Sequence, residues 1–211
     1  MHLSPPVARR PGRPPKLNGS RFETREALIR CGTELLTEKG FNSTGIDEVL
    51  KRVGVPKGSF YHYFESKDDF GLAVIDNYAA YFARKLDRWL LAEGRAPLAR
   101  IADFVADARG GMARFDFRRG CLIGNLGQEL GALNEVYRER LEAVFGDWQA
   151  RLARCLEAAR AAGEIAPDAD CERLASFFWI AWEGAVLRAK LVRSTAPLDL
   201  FAETFFAGLP R

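Results

Sequence analysis

The spacing of the apolar residues is the feature that most restricts the folds open to this chain of 211 residues. They recur every three or four positions over long stretches, as in the series Tyr137, Leu141, Val144, Trp148, Leu152, Cys155 and Ala159. That repeat is typical of helices that pack along one side, whereas the alternation expected of β-strands is nowhere convincing. We therefore predict an all-α protein of about nine helices.

Glycine, proline and capping residues divide this pattern into helices. The predicted spans are 20–39, 44–53, 57–63, 66–91, 98–115, 122–129, 134–162, 171–193 and 198–207. Thr44 is expected to cap the second helix and Ser66 the fourth, and Gly40 is expected to stop the first. Only residues 54–56, with the sequence Gly-Val-Pro, separate the second and third helices. A turn of this length that contains a glycine predicts a helix-turn-helix.

Positive charge is concentrated at the beginning of the chain. Residues 1–21 contain five basic side chains and no acidic one, and residues 1–65 contain eleven basic and seven acidic side chains. The remaining residues, 66–211, contain twenty basic and twenty-one acidic side chains. This asymmetry indicates an acidic partner for the N-terminal third, most commonly nucleic acid, although a solvated tail has the same composition.

Cysteine and histidine usage argues against several function classes. The four cysteines form no C-x-x-C pair, so no metal and no other cofactor is expected and the thiols should be reduced. Two histidines leave little material for acid–base catalysis. No apolar run approaches the ~20 residues of a membrane span, and the N-terminus lacks the apolar region of a secretory signal. We therefore expect a cytoplasmic protein with no membrane partner and no catalytic residues.

The helix predicted at 171–193 is apolar on more than one side, which indicates that it is covered from more than one side. One stripe contains Leu174, Phe178, Ala181 and Ala185, and the other contains Phe177, Ile180, Gly184, Leu187 and Leu191. A chain of this size has few elements left to cover both. The pattern favours a homodimer formed through this helix, the alternative being a helix buried within its own subunit.

The segment from residue 40 to residue 70 reads GFNSTGIDEVLKRVGVPKGSFYHYFESKDDF. It resembles the DNA-binding domain of TetR-family transcriptional repressors, and the resemblance covers residues 22–70. Val53 and Pro56 depart from the alanine and serine that are usual in the family. Residues 1–19 contain five prolines and no apolar periodicity, which indicates a flexible basic arm. The resemblance implies a helix-turn-helix domain at 20–65 and a ligand-binding and dimerisation domain at 66–211.

The third helix is the expected recognition helix, because such helices read base edges from their N-terminal part. Phe60 and Phe64 are expected to pack in the core, and His62 has the alternative of a buried structural role. Helix N-termini and the cations near them suit phosphates. The expected DNA-contacting residues are Thr44, Lys57, Gly58, Ser59, Tyr61, His62, Tyr63 and Lys67.

The arm contains a second candidate contact. Residues 10–16, Arg-Pro-Gly-Arg-Pro-Pro-Lys, resemble the core of an AT-hook, an extended segment that lies in the minor groove. Arg10 and Arg13 are the side chains expected to enter that groove.

Residues 120–125 and 182–190 resemble a branch of the TetR family that responds to electrophiles and to acrylate. Cys121 begins a predicted helix after Arg118 and Arg119, so the helix dipole and these cations are expected to lower the pKa of its thiol. A small unsaturated acid or aldehyde would suit such a site. The expected ligand-binding residues are Cys121, Asn125, Phe178, Trp179, Trp182 and Lys190, with buried cysteine and core aromatics as the alternative.

The hypothesis from sequence is a homodimeric, ligand-responsive repressor that a small-molecule inducer releases from a palindromic, double-stranded DNA operator. Two alternatives remain open. One is a small thiol-dependent enzyme that uses Cys121, and the other is a helical DNA-binding protein that responds to no effector.

Overall fold

A computed structural model describes residues 21–211, so Arg10, Arg13 and the cap expected from Ser20 lie outside the described residues. Within that range the chain forms eight α-helices and one 3₁₀ helix, and no strand. The all-α prediction is confirmed. The elements are α1 (Arg21–Lys39), α2 (Ile46–Val53), the 3₁₀ helix (Lys57–His62), α3 (Lys67–Leu90), α4 (Pro97–Arg114), α5 (Leu122–Leu130), α6 (Glu135–Ala161), α7 (Cys171–Val192) and α8 (Ala196–Ala207).

The signals that place helix ends act largely as expected. Gly40 follows α1 with φ +85°, and its N–H donates to the carbonyl of Leu36 at 3.0 Å. Ser66 caps α3, where its hydroxyl accepts from the N–H of Asp69 at 3.0 Å. Gly54 has the left-handed conformation, φ +77°, that closes α2 and begins the three-residue turn. The predicted helix-turn-helix is therefore present.

One local prediction is wrong, and one predicted helix is present but of a different type. Gly45, not Thr44, is the N-cap of α2, because the Thr44 hydroxyl instead donates to the carbonyl of Gly40 at 2.7 Å. The third helix is a 3₁₀ helix that begins after Pro56, which occupies the N-cap with φ −59°. A 3₁₀ helix rises further per residue than an α-helix and is used in short pieces.

Aromatic packing holds the 3₁₀ helix against the rest of the N-terminal part. Phe60 and Phe64 are buried, and their ring centroids lie 5.7 and 5.0 Å from that of Phe70 on α3. The expected core packing of Phe60 and Phe64 is confirmed. Burial of such a side chain stabilises the fold by about 1.5–3 kcal/mol. These contacts therefore fix the backbone of the 3₁₀ helix to α3.

The other helices form a bundle in which α6 and α7 pack together and α3, α4 and α8 surround them. The apolar series on α6 is buried throughout, as its spacing predicts. Trp148 on α6 lies 5.1 Å from Trp179 on α7, centroid to centroid. Among the described residues, no helix combines the length and the apolar character needed to cross a membrane.

Short α5 joins the bundle to the N-terminal helices through polar contacts. Both carboxylate oxygens of Glu129 accept backbone N–H groups after α1, those of Phe41 and Asn42, at 2.7 Å each. The side-chain amide of Asn125 donates to the carbonyl of Thr37 at 2.9 Å. Tyr137 adds a contact from α6, because its hydroxyl donates to the carbonyl of Asp68 at 3.0 Å.

Gly32 on α1 provides a test of the packing between α1 and α3. A Cβ at this position would overlap the ring of Phe70 and lie 2.8 Å from Cγ2 of Val74. We expect Gly32→Ala to lower the free energy of unfolding by about 1–3 kcal/mol, because overpacking outweighs the better helix propensity of alanine. Chemical denaturation followed by circular dichroism measures the change.

Gly110→Ala on α4 is the matched control, because a Cβ there meets nothing within 4 Å. It should raise the free energy of unfolding by about 0.5–1 kcal/mol. A stabilising Gly32→Ala would contradict the close approach of the two helices.

Candidate functional site

The exposed side of the 3₁₀ helix presents most of the residues expected to contact DNA. Tyr61 is 70% exposed, and the side chains of Lys57 and His62 also face solvent. Gly58 is exposed, whereas Ser59 and Tyr63 are half-buried at the edges of the surface. The alternative of a buried structural histidine at position 62 is wrong.

Two lysines flank this surface in different ways. Lys57 pairs with the carboxylate of Asp47 on α2, an exposed pair that DNA phosphates can replace at little cost. The Lys67 ammonium donates to the carbonyl of Phe41 at 2.8 Å and lies 4.5 Å from the centroid of its ring. Lys67 is thereby held at the N-terminus of α3, where free N–H groups favour an anion.

Thr44 is not on the exposed surface that was expected to contact DNA. Its side chain is buried, at 1% exposure, and its hydroxyl is engaged with Gly40. The expected contact between this hydroxyl and a phosphate is therefore wrong, because the hydroxyl closes the turn between α1 and α2.

A cavity of about 510 Å³ lies between α1, α3, α4, the start of α5 and α7, a size typical of small-molecule sites. Its wall combines aromatic and charged side chains. The basic side chains outnumber the acidic ones, which gives the cavity a positive balance. The aromatic and charged residues of the wall include Tyr78, Phe82, Trp182, Lys85, Arg88, Arg114, Arg119, Glu34 and Asp107.

Of the residues predicted to bind ligand, Cys121 and Trp182 line this cavity. Asn125 and Lys190 lie behind its wall, where the Lys190 ammonium donates to the Asn125 side-chain oxygen at 3.3 Å. The predicted place of Phe178 and Trp179 in the ligand site is wrong, because neither residue lines this cavity. Both are buried in ring contacts of the bundle, Phe178 against Phe201 and Phe205 at 5.0 Å and Trp179 against Trp148.

The prediction of a lowered pKa for the Cys121 thiol is wrong. Burial raises its pKa well above the usual range, and the nearby carboxylate of Glu183 raises it further. The backbone N–H of Gly124, at 3.4 Å from the sulfur, acts in the opposite direction but does not outweigh burial. Arg119 does not lower the pKa of the Cys121 thiol, because its guanidinium pairs with Glu38 at 2.7 Å and Glu34 at 3.3 Å.

Sequence reasoning missed two polar residues at the thiol. Burial raises the pKa of the Glu183 carboxyl to about 7, against the hydrogen bond from Cys121, which lowers it. Burial also raises the pKa of the Tyr78 hydroxyl. The signal for Glu183 was present, since an acidic residue interrupts the apolar run of α7, but its partner at the start of α5 is distant in sequence.

In the described part of the chain, no cluster of three ligand-type side chains could hold a metal ion.

An exposed surface on a helix-turn-helix unit, joined to a helical bundle that holds a cavity, is the arrangement of a helix-turn-helix transcriptional regulator. Residues 22–74 match the model of bacterial regulatory proteins of the TetR family, and residues 97–205 match that of the tetracyclin repressor-like C-terminal domain. The chain belongs to the TetR family.

Individual relatives agree with this assignment. The chain is 55% identical to the transcriptional regulator AcuR of Cereibacter sphaeroides, over 85% of the chain and 82% of the relative. It is 34% identical to the transcriptional repressor NemR of Escherichia coli K12, over 84% and 89%. The crystal structure of a regulatory protein TetR from Rhodobacter sphaeroides superposes with a TM-score of 0.85 at 53% identity, over 88% of the chain and 98% of that structure. AcuR and NemR belong to the branch that residues 120–125 and 182–190 indicate, so the predicted relationship is confirmed.

Tyr61 and His62 test the recognition surface. We expect Tyr61→Ala or His62→Ala to weaken specific binding by about 1–3 kcal/mol, because each removes a side chain that can reach a base edge. A gel shift with the DNA upstream of the protein's own gene measures the effect. The melting temperature should change little, because both side chains are exposed.

Gln128→Ala, at an exposed position on α5, is the control and should leave DNA affinity unchanged. Wild-type affinity in both recognition variants would remove the 3₁₀ helix from the interface.

Proposed function

We propose that the protein represses transcription by holding a palindromic operator as a homodimer, and that a small unsaturated acid or a related electrophile releases it. The observation that carries this proposal is a cavity whose wall includes Glu34 and Thr37 of α1, because a ligand there touches the element that supports the DNA-contacting surface. We also propose the domain boundary at residues 65 and 66, a cytoplasmic location, and the entry of Arg10 and Arg13 into the minor groove.

On the DNA side, the proposed base-reading residues are Tyr61, His62 and Ser59, with Gly58 allowing a close approach of the backbone. Lys57 and the N-terminus of α3 beside Lys67 suit phosphates. Tyr63 lies at the edge of the surface, half-buried, where its hydroxyl can serve the same purpose.

An uncovered apolar face supports the proposed dimer. Ile180 and Leu191, which share the second stripe of α7, are 73% and 70% exposed in the single chain. Leu200 extends the face onto α8. Large exposed apolar patches mark interfaces, and a two-fold pair of recognition helices matches the two half-sites of a palindrome. The other apolar residues of this face are Phe177, Leu187 and Val192.

The charges of the cavity support an anionic ligand. Its wall carries Lys85, Arg88, Arg114 and Arg119 against the acidic Glu34 and Asp107. Lys85 already pairs with Asp107 at 2.7 Å and Arg119 with Glu34 at 3.3 Å, so the positive balance of the wall comes from Arg88 and Arg114. A carboxylate matches the planar, two-pronged geometry of a guanidinium.

Arg119 also supplies a route from ligand to DNA. It bridges the segment before α5 to Glu34 and Glu38 of α1. A carboxylate that competes for this guanidinium weakens the contact between α1 and the segment before α5, which shifts α1 and changes the separation of the two recognition helices. The ligand then acts by binding more tightly to the arrangement that does not fit the operator.

The absence of catalytic activity is part of the proposal. A thiol enzyme needs a thiolate that forms readily, and burial opposes this at Cys121. The other three cysteines are buried as well. The relatives are named as regulators, which also does not favour an enzyme.

Acrylate tests the ligand-responsive part of the proposal. Saturating acrylate should weaken operator binding by about 5- to 150-fold, the range typical of coupling between two sites. Fluorescence anisotropy with labelled operator measures the change, and Cys121→Ser should blunt it. Cys171→Ser is the matched control, because that buried thiol lies at the start of α7 and outside the cavity wall. Affinity that no unsaturated acid or aldehyde alters would favour the effector-independent alternative.

The dimer face is tested by placing a charge on it. Ile180→Glu should yield a monomer in sedimentation equilibrium and abolish specific operator binding, because a buried unpaired carboxylate is costly and a single half-site binds weakly. Leu133→Glu, an equally exposed apolar position before α6, should remain a dimer with wild-type affinity. A dimeric Ile180→Glu would place the interface elsewhere.

A further inference from the structure

The environment of Cys121 contains a buried carboxyl that the regulatory mechanism above does not use. Glu183 lies on α7 with its carboxyl beside Cys121, because a Cβ placed on Gly124 would meet both Oε2 of Glu183 and Cβ of Cys121. Oε1 of Glu183 is buried and has no hydrogen-bond partner among the described residues. A buried carboxyl without a full set of partners is costly to fold, so a chemical role would account for its presence.

Two glycines make the arrangement possible. A Cβ on Gly124 would overlap Oε2 of Glu183 and lie 3.0 Å from its Cδ. A Cβ on Gly120 would lie 2.9 Å from Cδ of Lys190. The glycines on either side of the thiol therefore admit one acidic and one basic side chain of α7, which lie seven positions apart on the same helix face.

The thiol also meets the requirement of access. Cys121 is part of the cavity wall and 7% exposed, so a small molecule in the cavity lies against this residue. Its pKa is raised by burial, so little free thiolate exists at neutral pH. A reaction at this sulfur therefore needs a group that takes the proton as the new bond forms.

We propose that Glu183 is the proton acceptor for conjugate addition of Cys121 to an α,β-unsaturated carboxylic acid, amide or aldehyde. This proposal rests on the proposed function, because it specifies how the same cavity detects its ligand. Sγ attacks the β-carbon as the thiol proton passes to the Glu183 carboxylate, and the C=C π bond breaks toward the α-carbon. The proton on Glu183 is then delivered to the α-carbon. The product is a thioether, all atoms are retained, and no oxidant or reductant is needed.

The charged and titratable groups around Glu183 are consistent with this role. The Cys121 thiol faces it from the start of α5, and the Tyr78 hydroxyl approaches from α3. Lys190, on the same helix, lies near the sulfur and keeps its ammonium on Asn125. The pKa of Glu183, raised to about 7, means that the accepting carboxylate form increases as pH rises through neutrality.

The rate of adduct formation at Cys121 tests the proposal. The full-length protein is treated with acrylamide, a neutral probe, and separately with acrylate, and peptide mass spectrometry follows the modification of each cysteine. We expect Glu183→Gln to slow modification of Cys121 by about 10- to 100-fold at pH 7.5, and Glu183→Asp to retain part of the rate. Glu172→Gln, at an exposed position on the same helix, should react at the wild-type rate.

The pH profile separates a chemical role from a structural one. The wild-type rate should rise with pH and inflect near 7, and Glu183→Gln should lack that inflection. Circular dichroism and thermal melting check that the variants fold. If Glu183→Gln does not fold, the wild-type profile alone decides, and the absence of an inflection near 7 overturns the proposal.

Two further results overturn the proposal without ambiguity. One is modification of Glu183→Gln at the wild-type rate. The other is a wild-type protein in which acrylate weakens operator binding while Cys121 stays unmodified, which leaves the proposed function intact and removes the covalent step. Loss of any response of DNA binding to unsaturated compounds would instead contradict the proposed function itself.

Discussion

The polar junction between α1 and α5 is the interaction on which the rest of this architecture depends. Glu129 accepts the backbone N–H groups of Phe41 and Asn42 in the turn after α1, and Asn125 accepts from Lys190 while it donates to the carbonyl of Thr37. Hydrogen bonds to a charged group are stronger than neutral ones, but they depend closely on geometry. A junction of this kind holds the DNA-contacting unit in a defined orientation. The apolar packing of α1 on α3 holds the unit in place, so changes at these polar bonds alter its orientation and not its attachment.

The cavity and the thiol show how burial decides chemistry. A cysteine at a helix N-terminus near arginines is normally expected to ionise readily. Here Arg119 is engaged by the acids of α1, and Cys121 is enclosed beside the carboxyl of Glu183. The loss of hydration on burial outweighs the hydrogen bonds that the sulfur accepts from backbone N–H groups, so the pKa of the thiol rises. The sequence neighbours Arg118 and Arg119 predicted a lowered pKa for the thiol. The pKa is raised instead, because Cys121 is buried beside Glu183 of α7 and Arg119 is paired with acids of α1.

Most of the fold could be predicted from local pattern, because helices repeat at a fixed period and glycine and serine mark their ends. The apolar series on α6 and the stop at Gly40 are examples. The errors concern residues whose role depends on distant contacts. Thr44 was expected at a cap but closes a turn onto Gly40, and Phe178 was expected at a ligand but packs against α8. Glu183 was missed because its partner lies more than sixty residues earlier in the chain. Periodicity identifies a face as buried, but it does not distinguish a core from the wall of a cavity.

The 3₁₀ helix divides its side chains between two tasks. Phe60 points inward, as does Phe64 just after the helix, whereas Tyr61 and His62 are exposed and Tyr61 contacts the core only through the edge of the Phe60 ring. The proposed base-reading positions can therefore change with little effect on folding. After a gene duplication, a copy altered at a few such positions would keep its fold and its cavity.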